Sequence, residues 1–258
     1  MNDSNRKLVV ITGASSGFGK ACAERFVSEG WKVIALARRT SRLELLQAQL
    51  GVSNCLIHTL DVTDTESVEK FEVYLSSLSQ PIDLLVNNAG LALGLSPAHE
   101  ASWQDWQTMI ETNVLGLAKM TRLILPLMVK NQSGHVINLG SIAGSYPYPG
   151  GNVYGATKAF VEQFSLNLRA DLSGTGIRVT NIEPGLAETE FSEVRFAGDK
   201  QKAAAIYKDL QPLNAEDIAE SIYWCASQPA HVNVNRLEIM PTCQAFSALS
   251  ITKQSGAK

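Results

Sequence analysis

The chain alternates short, continuously apolar runs with longer segments in which apolar residues recur every three or four positions. The apolar runs fall at residues 8–12, 32–37, 56–60, 83–86, 135–139, 178–182 and 237–240. Several lack the polar alternation of a half-exposed strand and read as strands covered on both faces. Between them a helical period marks residues 17–29, 41–50, 66–78, 103–128, 153–172 and 216–227. Repeated strand–helix–strand units with right-handed crossovers build a parallel sheet between two helical layers. The expected fold is therefore α/β, a doubly wound parallel sheet in three layers. Neither a low-complexity linker nor an internal repeat divides residues 1–258, so one domain is expected. Residues 186–210 carry charge and glycine without a strand. They read as an insertion over the carboxyl edge of the sheet, where such folds bind their ligands.

Composition narrows the partners more than the fold. A length of 258 residues suffices for one sizeable core. A net charge of −3 supplies no field for polyanions, so nucleic acid is not an expected partner. Apolar stretches such as 123–129 are shorter than a membrane span, and residues 1–7 lead into the first strand without an apolar signal region. No membrane association is expected. Cys22, Cys55, Cys225 and Cys243 are scattered and form no CxxC, which suits a reducing cytoplasm. His58, His99, His135 and His231 have no metal-ligand spacing, so a structural or surface role is expected for each and no metal.

Thr12-Gly13-Ala14-Ser15-Ser16-Gly17-Phe18-Gly19 joins the first predicted strand to the first helix, with glycines in a GxxxGxG spacing rather than GxGxxG. Glycine permits positive φ and close backbone approach, and a helix N-terminus offers unpaired N–H groups to a pyrophosphate. A tight turn needing glycine only for packing is the plainer reading. The position between strand and amphipathic helix favours a cofactor held by Thr12, Gly13, Ser15, Ser16, Gly17, Phe18 and Gly19. The second strand ends in Arg38-Arg39, where an NAD site usually places an acid for the adenosine ribose. Two guanidinium forks without that acid favour a 2′-phosphate, hence NADP(H). Asp61-Val62 ends the third strand, and two readings are open: an adenine cap, or the start of a turn-rich Asp-x-Thr-Asp segment.

Tyr154 and Lys158 lie four apart in a predicted helix, so both fall on one face. A cation beside a phenol lowers its pKa and makes it a usable proton acceptor or donor. Alone the pair is also what an ordinary exposed helix face presents. Its company is Asn87-Asn88-Ala89-Gly90, Asn113, Ser141 and Pro184-Gly185-x3-Thr189.

Taken in order and spacing, these motifs resemble the short-chain dehydrogenase/reductase family over nearly the whole chain. The resemblance implies a Rossmann-type sheet of seven strands in the order 3-2-1-4-5-6-7 and a homo-oligomer, a tetramer favoured and a dimer open. It implies that Tyr154 exchanges the proton of the reacting hydroxyl, that Lys158 tunes Tyr154 and holds the nicotinamide ribose, and that Ser141 binds the reacting oxygen. By the same resemblance Asn113 holds a water linking Lys158 to solvent; judged by itself it is a satisfied helix amide. Asn88, Ala89 and Gly90 run along the adenosine ribose, while Asn87 braces neighbouring strands. Pro184 and Gly185 line the nicotinamide pocket, with Thr189 near the carboxamide.

A narrower resemblance rests on Asn88-Ala89-Gly90-Leu91-Ala92-Leu93-Gly94, Gly150-Gly151-Asn152-Val153-Tyr154-Gly155-Ala156-Thr157-Lys158-Ala159-Phe160 and Glu190-Phe191-Ser192-Glu193-Val194-Arg195-Phe196. These look like the NADP-dependent 3-hydroxy acid dehydrogenases, which implies small substrates such as L-serine, L-allo-threonine, 3-hydroxypropionate or malonic semialdehyde, and 3-hydroxyisobutyrate. Such a substrate carries a carboxylate and needs a cation or several N–H donors. Arg195, between Val194 and Phe196, is the candidate anchor; a surface ion pair with Glu193 or Asp199 is the equal alternative. The loop Tyr146-Pro147-Tyr148-Pro149-Gly150-Gly151 either shapes the pocket wall or sets the entry to the following helix. That helix carries Phe160, Val161, Phe164, Leu166, Leu168 and Leu172, more apolar residues than one buried stripe requires, and so predicts a subunit interface. The apolar stretch 237–251 offers a second interface or ordinary packing. Two other functions remain open: a short-chain reductase of another carbonyl, such as a 3-oxoacyl thioester or steroid, and an NADP(H)-sensing protein without turnover.

Overall fold

The strands predicted from the apolar runs all form, each within two residues of the expected bounds: β1 (Leu8–Thr12), β2 (Lys32–Ala37), β3 (Cys55–Thr59), β4 (Leu84–Asn87), β5 (Gly134–Leu139), β6 (Ile177–Pro184) and β7 (Arg236–Ile239). The structure, a computed structural model, describes residues 6–196 and 198–245. The strands make one sheet in the order β3-β2-β1-β4-β5-β6-β7, every neighbouring pair parallel. β1 lies inside the sheet, with Ile11 beside Ala35 of β2 on one side and Val86 of β4 on the other. The chain winds outward in opposite directions from β1 and β4. Such a switch point opens a crevice at the carboxyl ends of the strands.

Nine α-helices cover the sheet among the described residues: α1 (Gly17–Ser28), α2 (Thr40–Leu50), α3 (Thr65–Ser76), α4 (Trp103–Ile110), α5 (Leu117–Lys130), α6 (Asn152–Asp171), α7 (Glu190–Arg195), α8 (Lys200–Tyr207) and α9 (Ala215–Ser227). Because strand side chains alternate between faces, β1 feeds two cores. Val9 and Ile11 join Phe26 of α1, Leu43 of α2 and Ile222 of α9. Leu8 and Val10 join Phe71 of α3, Ile124 of α5 and Leu168 of α6. These are the three layers expected of a doubly wound fold.

The predicted helix 103–128 runs longer and is not uniform. α4 passes without a break through a π-helical turn, Glu111–Gly116, into α5. By length and composition alone the stretch Trp103–Lys130 is long and apolar enough to cross a membrane, a test that a core helix also passes and that a search for uninterrupted apolar runs does not register. Its Met120, Ile124 and Met128 are instead buried against the sheet.

Residues 186–210, expected to be an insertion without a strand, hold α7 and α8. Thr189 and Asp199 cap them, their side chains accepting from the N–H groups of Phe191 and Lys202. An isolated bridge between Ala187 and Leu213 closes the base of this excursion.

Cys22, Cys55 and Cys225 are buried, Cys243 is exposed, and all four thiols are free. His135 is buried and shares a hydrogen bond with the Thr180 hydroxyl, and His58 meets Phe71 and Tyr74 edge-on. Of the apolar residues in and after α6, Val161, Leu168 and Leu172 are buried, whereas Phe160 and Leu166 stay 38% and 44% exposed. In the stretch 237–251, residues 246–251 lie outside the described residues.

Candidate active site

The crevice is built first by the turn after β1. Gly13 and Gly17 take φ of +68° and +51°, a region that penalises any side chain. Gly19 lies so close to the Gly13 carbonyl and the Asn88 side chain that a Cβ would overlap both. Thr12 locks this turn to the end of β4: its Oγ1 accepts from the N–H groups of Asn88 (3.0 Å) and Ala89 (2.9 Å), and Asn88 Nδ2 donates back to Thr12 O at 2.9 Å. Asn87 braces the sheet as expected, donating to Thr121 and to Asn138 of β5. Ser16 precedes α1 in extended conformation without its side chain capping the helix. The first-turn N–H groups therefore remain available to an anion, and the turn and the uncapped helix fit a dinucleotide pyrophosphate.

Arg38 and Arg39 line the cleft beyond β2. Arg39 donates to the Ser15 hydroxyl from Nε (3.2 Å) and Nη2 (3.0 Å), and from Nη2 to Ser16 Oγ at 2.7 Å. Arg38 is more exposed and reaches Asp61 at 3.8 Å. Asp61 lines the cleft, and its carboxylate accepts from the Thr63 N–H and hydroxyl as the turn reading expects.

At the other end of the cleft stand Ser141, Tyr154 and Lys158. Ser141, just after β5, accepts from Ala143 N–H at 3.1 Å, donates to the Pro184 carbonyl at 3.5 Å and lies beside the Tyr154 phenol. Lys158 donates to the Leu139 carbonyl at 2.7 Å, and its Nζ is 5.9 Å from the Tyr154 ring centre. Burial brings the Lys158 ammonium down to about 8 and pushes the Tyr154 phenol up to about 12. Desolvation is the largest influence on the phenol, and the groups that oppose it are Ser141 and Arg195.

Asn113 belongs to the π turn. Its Oδ1 accepts from Leu91 N–H at 2.9 Å, and its Nδ2 donates to Leu91 O (2.8 Å) and Thr157 Oγ1 (3.1 Å). It sits behind the cleft, where a side chain on Gly90 would come within 3.2 Å of Asn113 Oδ1 and 3.6 Å of Lys158 Nζ. Single π turns recur at functional sites.

Arg195 closes the site from α7. It donates to Tyr148 OH at 2.6 Å and to Gly94 O at 3.3 Å, and its Cζ lies 5.4 Å from the Tyr154 ring centre. Among the described residues it makes no ion pair with Glu193 or Asp199. Tyr148 packs against the small cluster that holds Leu91, Met109 and Tyr154. Pro184 ends β6 beside Ser141, Gly185 follows it, and Thr189 stands 3.6 Å from where a Gly17 side chain would be.

The cleft has a volume of about 330 Å³, and every expected site residue lines it except Gly19, Asn113 and Arg195, which support it from behind or from the rim. Phe191, 5.8 Å from the Tyr154 ring, and Glu190, bonded to Arg39 and Arg42, are residues that motif spacing does not mark. One signal was present for Arg42: it falls one helical turn after Arg39, a third cation at the same place.

Residues 7–200 match the family described as short chain dehydrogenase. The NADP-dependent 3-hydroxy acid dehydrogenase YdfG of Salmonella typhi is 56% identical over 245 residues, covering 95% of this chain and 98% of that protein. Serine 3-dehydrogenase of Agrobacterium fabrum is 53% identical over 247 residues, covering 96% and 98%. Among solved structures, the closed form of a serine dehydrogenase complexed with NADP+ matches with a TM-score of 0.93 at 54% identity, over 96% of this chain and 100% of that one. Serine dehydrogenase from Escherichia coli matches at 0.81 and 50%, over 93% and 100%. Identity above one half, sustained along nearly the whole of both sequences, is more than a shared architecture requires: the chain belongs to the short-chain dehydrogenase family.

Proposed function

We propose that this protein is an NADP(H)-dependent oxidoreductase acting on the 3-hydroxyl of small 3-hydroxy acids, with L-serine, L-allo-threonine, 3-hydroxypropionate and 3-hydroxyisobutyrate as the substrate class. The observation that carries the substrate reading is the Arg195 guanidinium held 5.4 Å from the Tyr154 ring, a cation for a carboxylate beside a phenol for a hydroxyl. The names of the relatives point the same way. The cofactor reading is supported by Arg39 at Ser15 and Ser16, with no acid at the end of β2.

When bound, the nicotinamide accepts or returns the hydride. The remaining work falls to the protein. Ser141 orients the reacting oxygen, and Tyr154 takes its proton in oxidation and gives it back in reduction. Lys158 holds the nicotinamide ribose, and Asn113 supports the lysine end of the site through the π turn. Thr12, Gly13, Ser15–Gly19 and Asn88–Gly90 hold the dinucleotide, with Arg38 and Arg39 at its 2′-phosphate and Asp61 and Val62 at the adenine. Pro184, Gly185 and Thr189 border the nicotinamide. Residues 186–210 cover the substrate as part of a single domain. The protein works in the cytoplasm as a homo-oligomer, a tetramer by preference, without a metal, nucleic acid or membrane.

The test follows cofactor absorbance with NADP+ and NAD+ against the four acids, in wild type and Tyr154→Phe. Turnover with NADP+ and a 3-hydroxy acid, reduced by 10³-fold or more in the variant, is expected. Near-normal kcat in Tyr154→Phe sinks the proton role. Absence of turnover with all four acids sinks the substrate reading.

A further inference from the structure

Glu190 opens α7, directly after its cap Thr189, and reaches away from the substrate end toward α2. Its carboxylate accepts from Arg42 Nη1 at 2.6 and 2.7 Å and from Arg39 Nη1 at 3.2 Å. The rest of the Arg39 fork is spent on the hydroxyls of Ser15 and Ser16 in the glycine turn. Two guanidinium groups at the adenosine end of the cleft thus share one carboxylate that comes from the opposite wall. Burial works to raise the Glu190 carboxyl, but the hydrogen bonds from Arg42 and Arg39 outweigh it and keep it ionised at neutral pH.

We propose that Glu190 is an internal counter-anion for these arginines, one that a 2′-phosphate must displace, and that it thereby sets how strongly the protein prefers NADP(H) over NAD(H). The inference rests on the NADP(H) reading above. A phosphate at Arg39, Ser15 and Ser16 competes with Glu190 for the same fork and is repelled by its charge. NAD(H) presents only hydroxyls there and does not compete. Arg42 moderates the competition by holding Glu190 from the other side. The side chains of Arg39, Arg42 and Glu190 are all 42–43% exposed, so the effect is modest in size.

The experiment measures Kd for NADP+ and NAD+ by calorimetry on the full chain, for wild type, Glu190→Gln, Arg42→Gln and the double variant. Glu190→Gln keeps the size and one of the two acceptor oxygens while removing the charge. It is expected to tighten NADP+ about three- to tenfold and to leave NAD+ within about twofold, with a gain that shrinks as salt is raised. Arg42→Gln is expected to weaken NADP+, and to do so less in the Glu190→Gln background, because Arg42 acts through Glu190. NADP+ binding that is unchanged or weaker in Glu190→Gln, or NAD+ binding that tightens equally, overturns the proposal. Both cofactors weakening together likewise overturns it, and would make Glu190 a latch for α7 instead. A wild type that binds NAD+ as well as NADP+ overturns the cofactor reading and this inference with it, so the two failures are told apart.

Discussion

Burial acts on Tyr154 and Lys158 in opposite senses, and both effects favour the uncharged side chain. For Lys158 the sign can be worked through. Its ammonium drops from the ordinary 10.5 to about 8 in the fold, so its stabilising contribution is present above 10.5 and lost as pH falls through 8. At pH 7 the buried cation costs on the order of 3 kcal/mol, at about 1.4 kcal/mol per unit. Lys158→Met should therefore abolish turnover without lowering the melting temperature at pH 7, even though the Leu139 carbonyl loses its donor. A fall of several degrees would mean that the lysine stabilises the fold. Arg195→Ala should raise KM for 3-hydroxy acids about tenfold or more, with the Kd for NADP+ unchanged; an unchanged KM removes Arg195 as the anchor. Residue identity was legible in the sequence for the Tyr–Lys pair because both lie one turn apart on a single helix. The setting of Arg195 was not, because its partners Gly94 and Tyr148 are 101 and 47 residues away.

At the scale of elements, what local chemistry encodes was readable and what depends on an extra residue was not. Strands and long helices follow from apolar periodicity. The π turn at Glu111–Gly116 inserts a residue into an otherwise regular helix and leaves no compositional mark. α7 and α8 are too short to show a period, although Thr189 and Asp199 are ordinary N-cap signals that could have announced them. The glycine turn was visible as a spacing, but the reason each glycine is needed differs. Gly19→Ala should destabilise the protein by roughly 1–3 kcal/mol and weaken NADP+ binding, since the methyl meets the Gly13 carbonyl and the Asn88 amide. Gly30→Ala is the control: its φ is +80° but nothing lies within 4 Å, so roughly 1–2 kcal/mol of backbone strain is expected with cofactor binding intact. Denaturant titration and calorimetry on both variants check this. Equal losses of NADP+ affinity would mean that close approach at Gly19 is not what matters.

Over the whole molecule, the number and identity of the strands came from pattern, while their order came only through resemblance, because order is set by pairings between distant segments. The outside of the fold bears on assembly. α6 leaves Phe160 and Leu166 exposed, and α4 with the π turn leaves Ile110 and Leu115 exposed. If these surfaces join subunits, Phe160→Asp should lower the mass found by light scattering at micromolar concentration, and a wild type that is already monomeric defeats the idea. The position of β1 carries a different consequence, for the time before the fold exists. Leu8 N–H donates to the Asp83 carboxylate, 75 residues further on, just before β4, with which β1 pairs. Until β4 emerges, one edge of an apolar strand has no neighbour and must be kept from pairing elsewhere. The exposed edge of β1 is thus an aggregation hazard of the nascent chain for as long as residues 13–83 are being made.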